Sequence, residues 1–265
     1  MGRRDGDAVA LTVVQRVRAI TRQRWLLVAG TGTILAAVAV FAVLTDAVRE
    51  HDGISTGDPS RLQFFVDHRT PVTVDMARVA TEFGAAAILA LLAVGVAAVL
   101  LWRRKPLAVA LAPAIAFALA GGVASATKSI VGRTRPPVDL HLVGETSASF
   151  PSGHSTDSTA FYVAVALVLA MYVVRRPLAR VGVVVAGAAV AVMVGLSRLV
   201  LGVHWPTDVA AGWALGTASA VLVVMTIGAM TRPTGALDDD APSDDDDDGD
   251  GDGAIAPDVI EGARR

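Results

Sequence analysis

The chain contains no cysteine. That excludes a disulfide framework, a zinc–thiolate centre and a thiol nucleophile. Aromatic residues make up only 5% of the 265 residues, and there are just two lysines, Lys105 and Lys128. Charge is missing over long distances as well. Trp25–Leu44, Phe83–Trp102, Leu107–Thr127, Val181–Ser197 and Val209–Met230 hold no Asp, Glu, Lys or Arg, and Ser155–Val174 holds only Asp157 near its start. No alternation of apolar and polar residues runs through these blocks, so a membrane β-barrel is excluded.

What is present is apolar bulk in long pieces. Hydrophobic residues make up 53% of the chain, and their clustering decides the class. A bilayer core about 30 Å thick needs about 20 apolar residues per helix. Backbone groups in lipid can be satisfied within a helix. Six blocks meet that length, which predicts an all-α integral membrane protein, a six-transmembrane-helix bundle over residues 25–231. Trp25–Leu44 exceeds the roughly 7–15 apolar residues of a signal peptide and is read as a retained helix. Pro113 lies inside the third block, where a kink is expected.

The net charge of −2 is a composite. Residues 232–265 carry 12 of the 25 acidic residues and 3 of the 23 basic ones, leaving +7 on the rest. This tail of Asp, Gly, Pro and Ser reads as disordered. Residues 1–24 form a basic segment with Arg3, Arg4, Arg16, Arg18, Arg22 and Arg24. Arg103, Arg104 and Lys105 lie between blocks two and three, and Arg175, Arg176 and Arg180 between blocks four and five. Basic residues favour the cytoplasmic side. Both termini are therefore expected there, in a cell membrane, with the loops at roughly 45–82, 128–154 and 198–208 facing outward. In the first of these loops a short interfacial helix is expected, with Pro59 and Pro71 breaking anything longer.

The outward loops contain basic residues that this rule disfavours: Lys128, Arg133, Arg135 and Arg198. Near them lie His154, His204 and Asp208. Single basic residues at span ends commonly snorkel to the headgroups, but four beside two histidines and an aspartate point to an anion site. His204 and Asp208 are four residues apart, so a helical turn puts them on one face. Pro206 suits the first turn of the following helix. Ser152 could be an N-cap, and Ser155, Thr156 and Asp157 would cap or complement the first turn of the fourth span. Arg133 fits no fixed motif position and reads as peripheral, His141 is likewise unassigned, and His51 and His68 have no evident partner.

The order of the blocks is more specific. Lys128-Ser-Ile-Val-Gly-Arg-Thr-Arg135-Pro136 is followed by Pro151-Ser152-Gly153-His154, and then by Ser197-Arg198-Leu-Val-Leu-Gly-Val-His204-Trp-Pro-Thr-Asp208. Together they resemble the signature of the type 2 phosphatidic acid phosphatase superfamily over roughly residues 45–230: K-x6-R-P, P-S-G-H and S-R-x5-H-x3-D. The resemblance implies a lipid phosphatase without metal or other cofactor. Lys128, Arg135, Ser152, Gly153 and Arg198 would hold the phosphate, His204 would become phosphorylated and Asp208 would orient it. His154 would protonate the leaving group and then activate water.

Its partners would be a lipid phosphate and the bilayer, not nucleic acid; no sequence feature specifies an oligomeric state. An outward site suits an isoprenoid diphosphate such as undecaprenyl diphosphate, with phosphatidic acid or phosphatidylglycerol phosphate as alternatives and phosphotransfer to an acceptor other than water a further one. Three other classes share these residue types. A metal-dependent hydrolase could use His154, His204 and Asp208 with Asp157 as a further ligand, and a serine hydrolase Ser152, His204 and Asp208. A lipid-phosphate transporter would need only the cations.

Overall fold

The computed structural model describes residues 2–231, with side chains from Arg24 onward. The expected disordered tail therefore lies outside the described residues. All described regular structure is helical: α1 (Gly2–Glu50), α2 (Asp58–Asp67), α3 (Pro71–Glu82), α4 (Ala86–Trp102), α5 (Leu107–Val131), α6 (Gly153–Tyr172), α7 (Pro177–Val200) and α8 (Pro206–Met230), with short 3-10 turns at Gly53–Gly57 and Val138–Leu140.

Five segments are long and apolar enough to cross a bilayer: Arg24–Glu50 of α1, then α5, α6, α7 and α8. The sixth span is not the straight helix expected over Phe83–Trp102. α4 has 17 residues, about 26 Å, short of the hydrocarbon thickness by itself. It forms a bent pair with α3, the two axes meeting at 54°. Phe83, Gly84 and Ala85 make the bend, and a Cβ at Gly84 would strike Val194 and crowd His154. The loop before it, expected to face outward, contains two helices rather than one. Pro59 and Pro71 stand in the first turns of α2 and α3, where a missing N–H costs nothing, so each proline begins a short helix and no longer helix runs through either. α5 runs unbroken through Pro113.

Burial separates the helices. The outer faces of α1 and α4 expose large apolar side chains, among them Leu35, Val43, Leu91 and Val94, as a lipid-facing surface should. α6 is central, packed against α5, α7 and α8. Its contact with α8 is close because small residues line it. A Cβ at Gly212 would collide with Ser155 and the Ser152 carbonyl, and one at Gly216 with the Thr156 carbonyl and Thr159. This approach draws the start of α6 against the start of α8, where the Ser152 N–H donates to the Asp208 carbonyl over 3.0 Å. The ends of α5 and α7 reach the same end of the bundle, and the three sequence motifs meet there.

Candidate active site

His204 sits in the turn between α7 and α8, 1% exposed. The turn is made by Gly202 at φ +73°, and the Val203 N–H donates back to the Arg198 carbonyl at 3.2 Å. Asp208, at the third position of α8, accepts the Trp205 N–H at 2.9 Å, satisfying a donor that the helix start leaves free. The same carboxylate oxygen, Oδ2, lies 3.3 Å from His204 Nδ1. The other imidazole nitrogen, Nε2, lies 3.1 Å from Arg135 Nη1. A guanidinium can only donate. Nε2 is therefore the lone-pair nitrogen and Nδ1 carries the hydrogen to Asp208. Burial pushes the His204 pKa down to about 4, against the opposing pull of Asp208, so the ring is neutral near pH 7.

On the Nε2 side the cations converge. Arg135 donates from Nε to the Ser147 carbonyl at 2.8 Å and from Nη1 to the Val203 carbonyl at 2.7 Å. Arg198, 1% exposed, donates from Nη1 to Thr81 Oγ1 at 2.6 Å. Its Nε–H is buried without an acceptor among the described residues. Leaving such a donor unmade costs about 1–3 kcal/mol or more, which marks a place where an anion belongs. Both guanidinium groups grip Glu145, Arg135 through Nη2 at 3.2 Å and Arg198 through Nη2 onto the other oxygen. Burial alone would raise the Glu145 pKa, but Arg198 and Arg135 outweigh it and hold it below the usual carboxylate range. Lys128 donates to the Ala148 carbonyl and lies within electrostatic reach of Arg135, Asp208 and Glu145.

His154 occupies the second position of α6, beside Gly84 of the α3–α4 bend, within electrostatic reach of Arg198, Glu145, His204 and Arg135. Ser152 is the N-cap of α6. Its Oγ accepts from Ser155 Oγ at 2.9 Å and its N–H is taken by Asp208. The hydroxyl is thus engaged by Ser155 while the described partners of the His204 ring are Arg135, Ser149 and Asp208, which weakens the serine-hydrolase reading. At Gly153 an added Cβ would meet only Lys128, at 4.0 Å, so the helix start stays open beside that cation.

Several residues sit otherwise than the sequence suggests. Asp157 does not cap α6: its Oδ1 has no hydrogen-bond partner among the described residues and faces Gly121 of α5. Arg133, which fits no fixed motif position, lies at the centre of the site. It bonds Asp208 Oδ1 at 2.5 Å, Thr207 Oγ1 at 2.8 Å and Asp58 Oδ2 at 2.7 Å. Ser149, which donates to Asp208 Oδ2, and Glu145 carry no motif signal either. Their only sequence signature is a polar residue in the loop joining Arg135 to Ser152. His141 bonds the Pro136 carbonyl at 3.0 Å, while His51 and His68 bond backbone carbonyls of their own segments. Among the described residues, no three His, Asp or Glu side chains cluster as metal ligands.

Fold and cluster define a polytopic membrane protein with a buried histidine–carboxylate pair facing a cationic pocket. The PAP2 superfamily profile matches residues 108–232. The chain is 36% identical over 174 residues to decaprenylphosphoryl-5-phosphoribose phosphatase of Mycolicibacterium smegmatis, covering 64% of this chain and 84% of that protein. It is 39% identical over 89 residues to phosphatidylglycerophosphatase B of Bacillus subtilis, covering 34% of this chain and 43% of that one. The crystal structure of the transmembrane PAP2-type phosphatidylglycerolphosphate phosphatase from Bacillus subtilis superposes with a TM-score of 0.70 at 28% identity, covering 76% of this chain and 98% of that chain. The chain belongs to the PAP2 superfamily, whose matched segment here is α5 to α8. It spans less than half the length of several of the curated relatives it matches.

Proposed function

We propose that this protein is a lipid phosphate phosphatase working through a phosphohistidine, with the site on the outer face of the membrane and both termini inside. The observation that carries the reading is the pair of bonds on His204. Nδ1 is committed to Asp208, while Nε2 keeps its lone pair directed at Arg135 beside Arg198. A phosphoryl group in transfer spreads charge over its equatorial oxygens, and fixed donors aimed there supply most of the stabilisation.

In the proposed reaction Arg135, Arg198 and Lys128 hold the phosphate, with the free N–H groups at the start of α6 taking an oxygen. His204 Nε2 attacks phosphorus as its bond to the leaving oxygen breaks, and His154 gives that oxygen a proton. Positive charge on the ring is balanced by Asp208. His154 then takes a proton from water as the hydroxide displaces His204, releasing inorganic phosphate. No step draws on a metal or other cofactor. Such a substrate must displace Glu145 from the two arginines.

The preferred substrate is a phosphate carried on an isoprenoid lipid, with an isoprenoid diphosphate such as undecaprenyl diphosphate first. The name of the Mycolicibacterium relative favours a second reading, a phosphomonoester on a polyprenyl-linked sugar. Phosphate release by purified protein would be compared on undecaprenyl diphosphate, decaprenylphosphoryl-5-phosphoribose, phosphatidic acid and phosphatidylglycerol phosphate, with chelator present and His204→Ala as blank. Turnover abolished by the chelator would sink the metal-free mechanism. Full activity of His204→Ala would sink the phosphohistidine, and lipid binding without phosphate release would favour a transporter.

A further inference from the structure

The carboxylate side of His204 is more elaborate than one aspartate. Asp58 begins α2, in the first outward loop, and is 1% exposed. Its Oδ1 accepts the Thr207 N–H at 3.1 Å, and its Oδ2 accepts Thr207 Oγ–H and the Arg133 guanidinium at 2.7 Å. Arg133 then reaches Asp208 Oδ1 at 2.5 Å, while its guanidinium carbon stands 5.6 Å over the Trp205 ring. The result is a row of alternating charge: Asp58, Arg133, Asp208, and the imidazole that becomes positive during phosphoryl transfer.

An end-cap for α8 would explain Asp58 by itself, since an acid at a helix start is commonplace. It would not require a buried arginine shared between two carboxylates. Asp208 has two oxygens with opposite duties. Oδ2 takes the histidine, the Ser149 hydroxyl and the Trp205 amide, whereas Oδ1, among the described residues, takes only Arg133, which fixes the plane in which Oδ2 points. An uncompensated arginine there would oppose positive charge on the imidazole. The buried Asp58 offsets it.

We propose that Arg133 and Asp58 are positioning residues for His204: Arg133 clamps the Asp208 carboxylate in plane with the imidazole, and Asp58 neutralises the clamp so that the charge of Asp208 remains available to the ring. This deepens the phosphohistidine reading and rests on it. The groups facing the ring are Asp208 from α8, Arg198 from α7, His154 from α6, and Arg135 and Glu145 from the loop between α5 and α6. Arg133 and Asp58 act on it only through Asp208.

The test uses the full-length protein in detergent micelles, with undecaprenyl diphosphate and phosphatidylglycerol phosphate as substrates. Nitrogen-15 histidine NMR follows the His204 tautomer and titration. Arg133→Gln is expected to lower kcat about tenfold or more with KM changed less than about twofold, because the interaction matters as charge develops on the ring. Arg133→Lys should recover part of the loss. The two charges predict titration shifts of opposite sign: Arg133→Gln removes a positive charge and moves the His204 midpoint up, whereas Asp58→Asn removes a negative one and moves it down. Loosening of the fold would not separate the two in this way.

In the Arg133→Gln background, Asp58→Asn should cost little further kcat. Wild-type kcat in a folded Arg133→Gln variant, an unmoved His204 midpoint, or fully additive effects would each overturn the proposal. If Asp58→Asn does not fold, the Arg133→Gln and Arg133→Lys pair carries the test alone. His204→Ala separates the two levels: activity surviving there removes the catalytic reading itself, whereas loss there with Arg133 variants behaving like wild type removes only the clamp.

Discussion

Arg133 and Arg135 are two residues apart in one loop and serve opposite sides of the same imidazole. Arg135 faces Nε2, where its partners are backbone carbonyls and a half-buried glutamate that the proposed reaction requires a substrate to displace. Arg133 faces the carboxylate behind Nδ1, and its carboxylate partners, Asp58 and Asp208, are 1% and 0% exposed. One arginine is therefore poised to exchange its anion and the other is locked to its own. A buried ion pair gains little net stability, yet removing one partner costs about 3–5 kcal/mol. The locked side should respond to mutation in stability and in kcat, the open side in binding.

The largest effects should come from the residues between the two sides. His204→Ala removes the proposed nucleophile and should abolish phosphate release to the level of an enzyme-free control, while the protein still purifies as a folded membrane species. Asp208→Asn should be nearly as severe. An amide can donate to Nδ1, which would turn the lone pair inward and protonate Nε2, and a wrong tautomer of this kind costs about 10⁴-fold in a related catalytic arrangement. Stopped-flow or quench measurement of phosphate release checks both. An Asp208→Asn enzyme within tenfold of wild type would mean that the tautomer is not set by this carboxylate.

Next comes Arg198→Lys. An ammonium keeps the charge but cannot hold Thr81 and Glu145 and also offer a third N–H in a planar fork. KM and kcat should both suffer, kcat/KM by about 10²-fold. If Lys serves as well as Arg, the pocket recognises charge alone and the contrast between its open and locked sides loses its geometric basis.

That contrast also explains what could be read from the chain. His204, Asp208, Arg135 and Arg198 were legible because motif spacing constrains them. The helical turn expected to join His204 to Asp208 does not form, however: His204 precedes the extended N-cap Trp205, and Asp208 reaches back to it from the first turn of α8. Arg133, Asp58, Glu145 and Ser149 were not legible. Each makes a contact across 53 residues of sequence or more, with 53 from Arg198 to Glu145, 75 from Arg133 to Asp58 and 149 from Thr207 to Asp58, and no local period encodes such a pairing. The bend between α3 and α4 was invisible for a similar reason. Hydropathy counts apolar residues, and Gly84 is uncharged like its neighbours, but it is the close approach of His154 and Val194 that calls for glycine there. The long apolar runs identified the bundle because the bilayer acts on composition directly.

Glu145→Gln probes the exchangeable anion. Removing its charge frees both arginines for phosphate, so inorganic phosphate should become a stronger product inhibitor, by about tenfold, one pKa unit's worth of interaction. Weaker inhibition would mean that Glu145 holds the arginines ready for phosphate instead of competing with it. Either sign is read from inhibition constants at fixed pH. The pH itself can be varied by NMR: burial disfavours the charged ring, so the His204 imidazole should stay neutral as pH falls and protonate only near 4.

The smallest effect belongs to Ser149→Ala. Its hydroxyl donates to the oxygen that also receives the histidine, but the Trp205 amide and Arg133 remain to satisfy Asp208. A hydrogen bond to a charged group contributes about 1.5–3 kcal/mol, and the two surviving donors should hold the net loss below that range, under about tenfold in kcat. Because one acceptor is shared, losing Ser149 leaves Oδ2 more basic toward Nδ1. The His204 midpoint should therefore move upward, in the same direction as for Arg133→Gln but less far. An equal or larger shift from Ser149→Ala would place the controlling contact on Oδ2 and leave Arg133 as a structural tie alone.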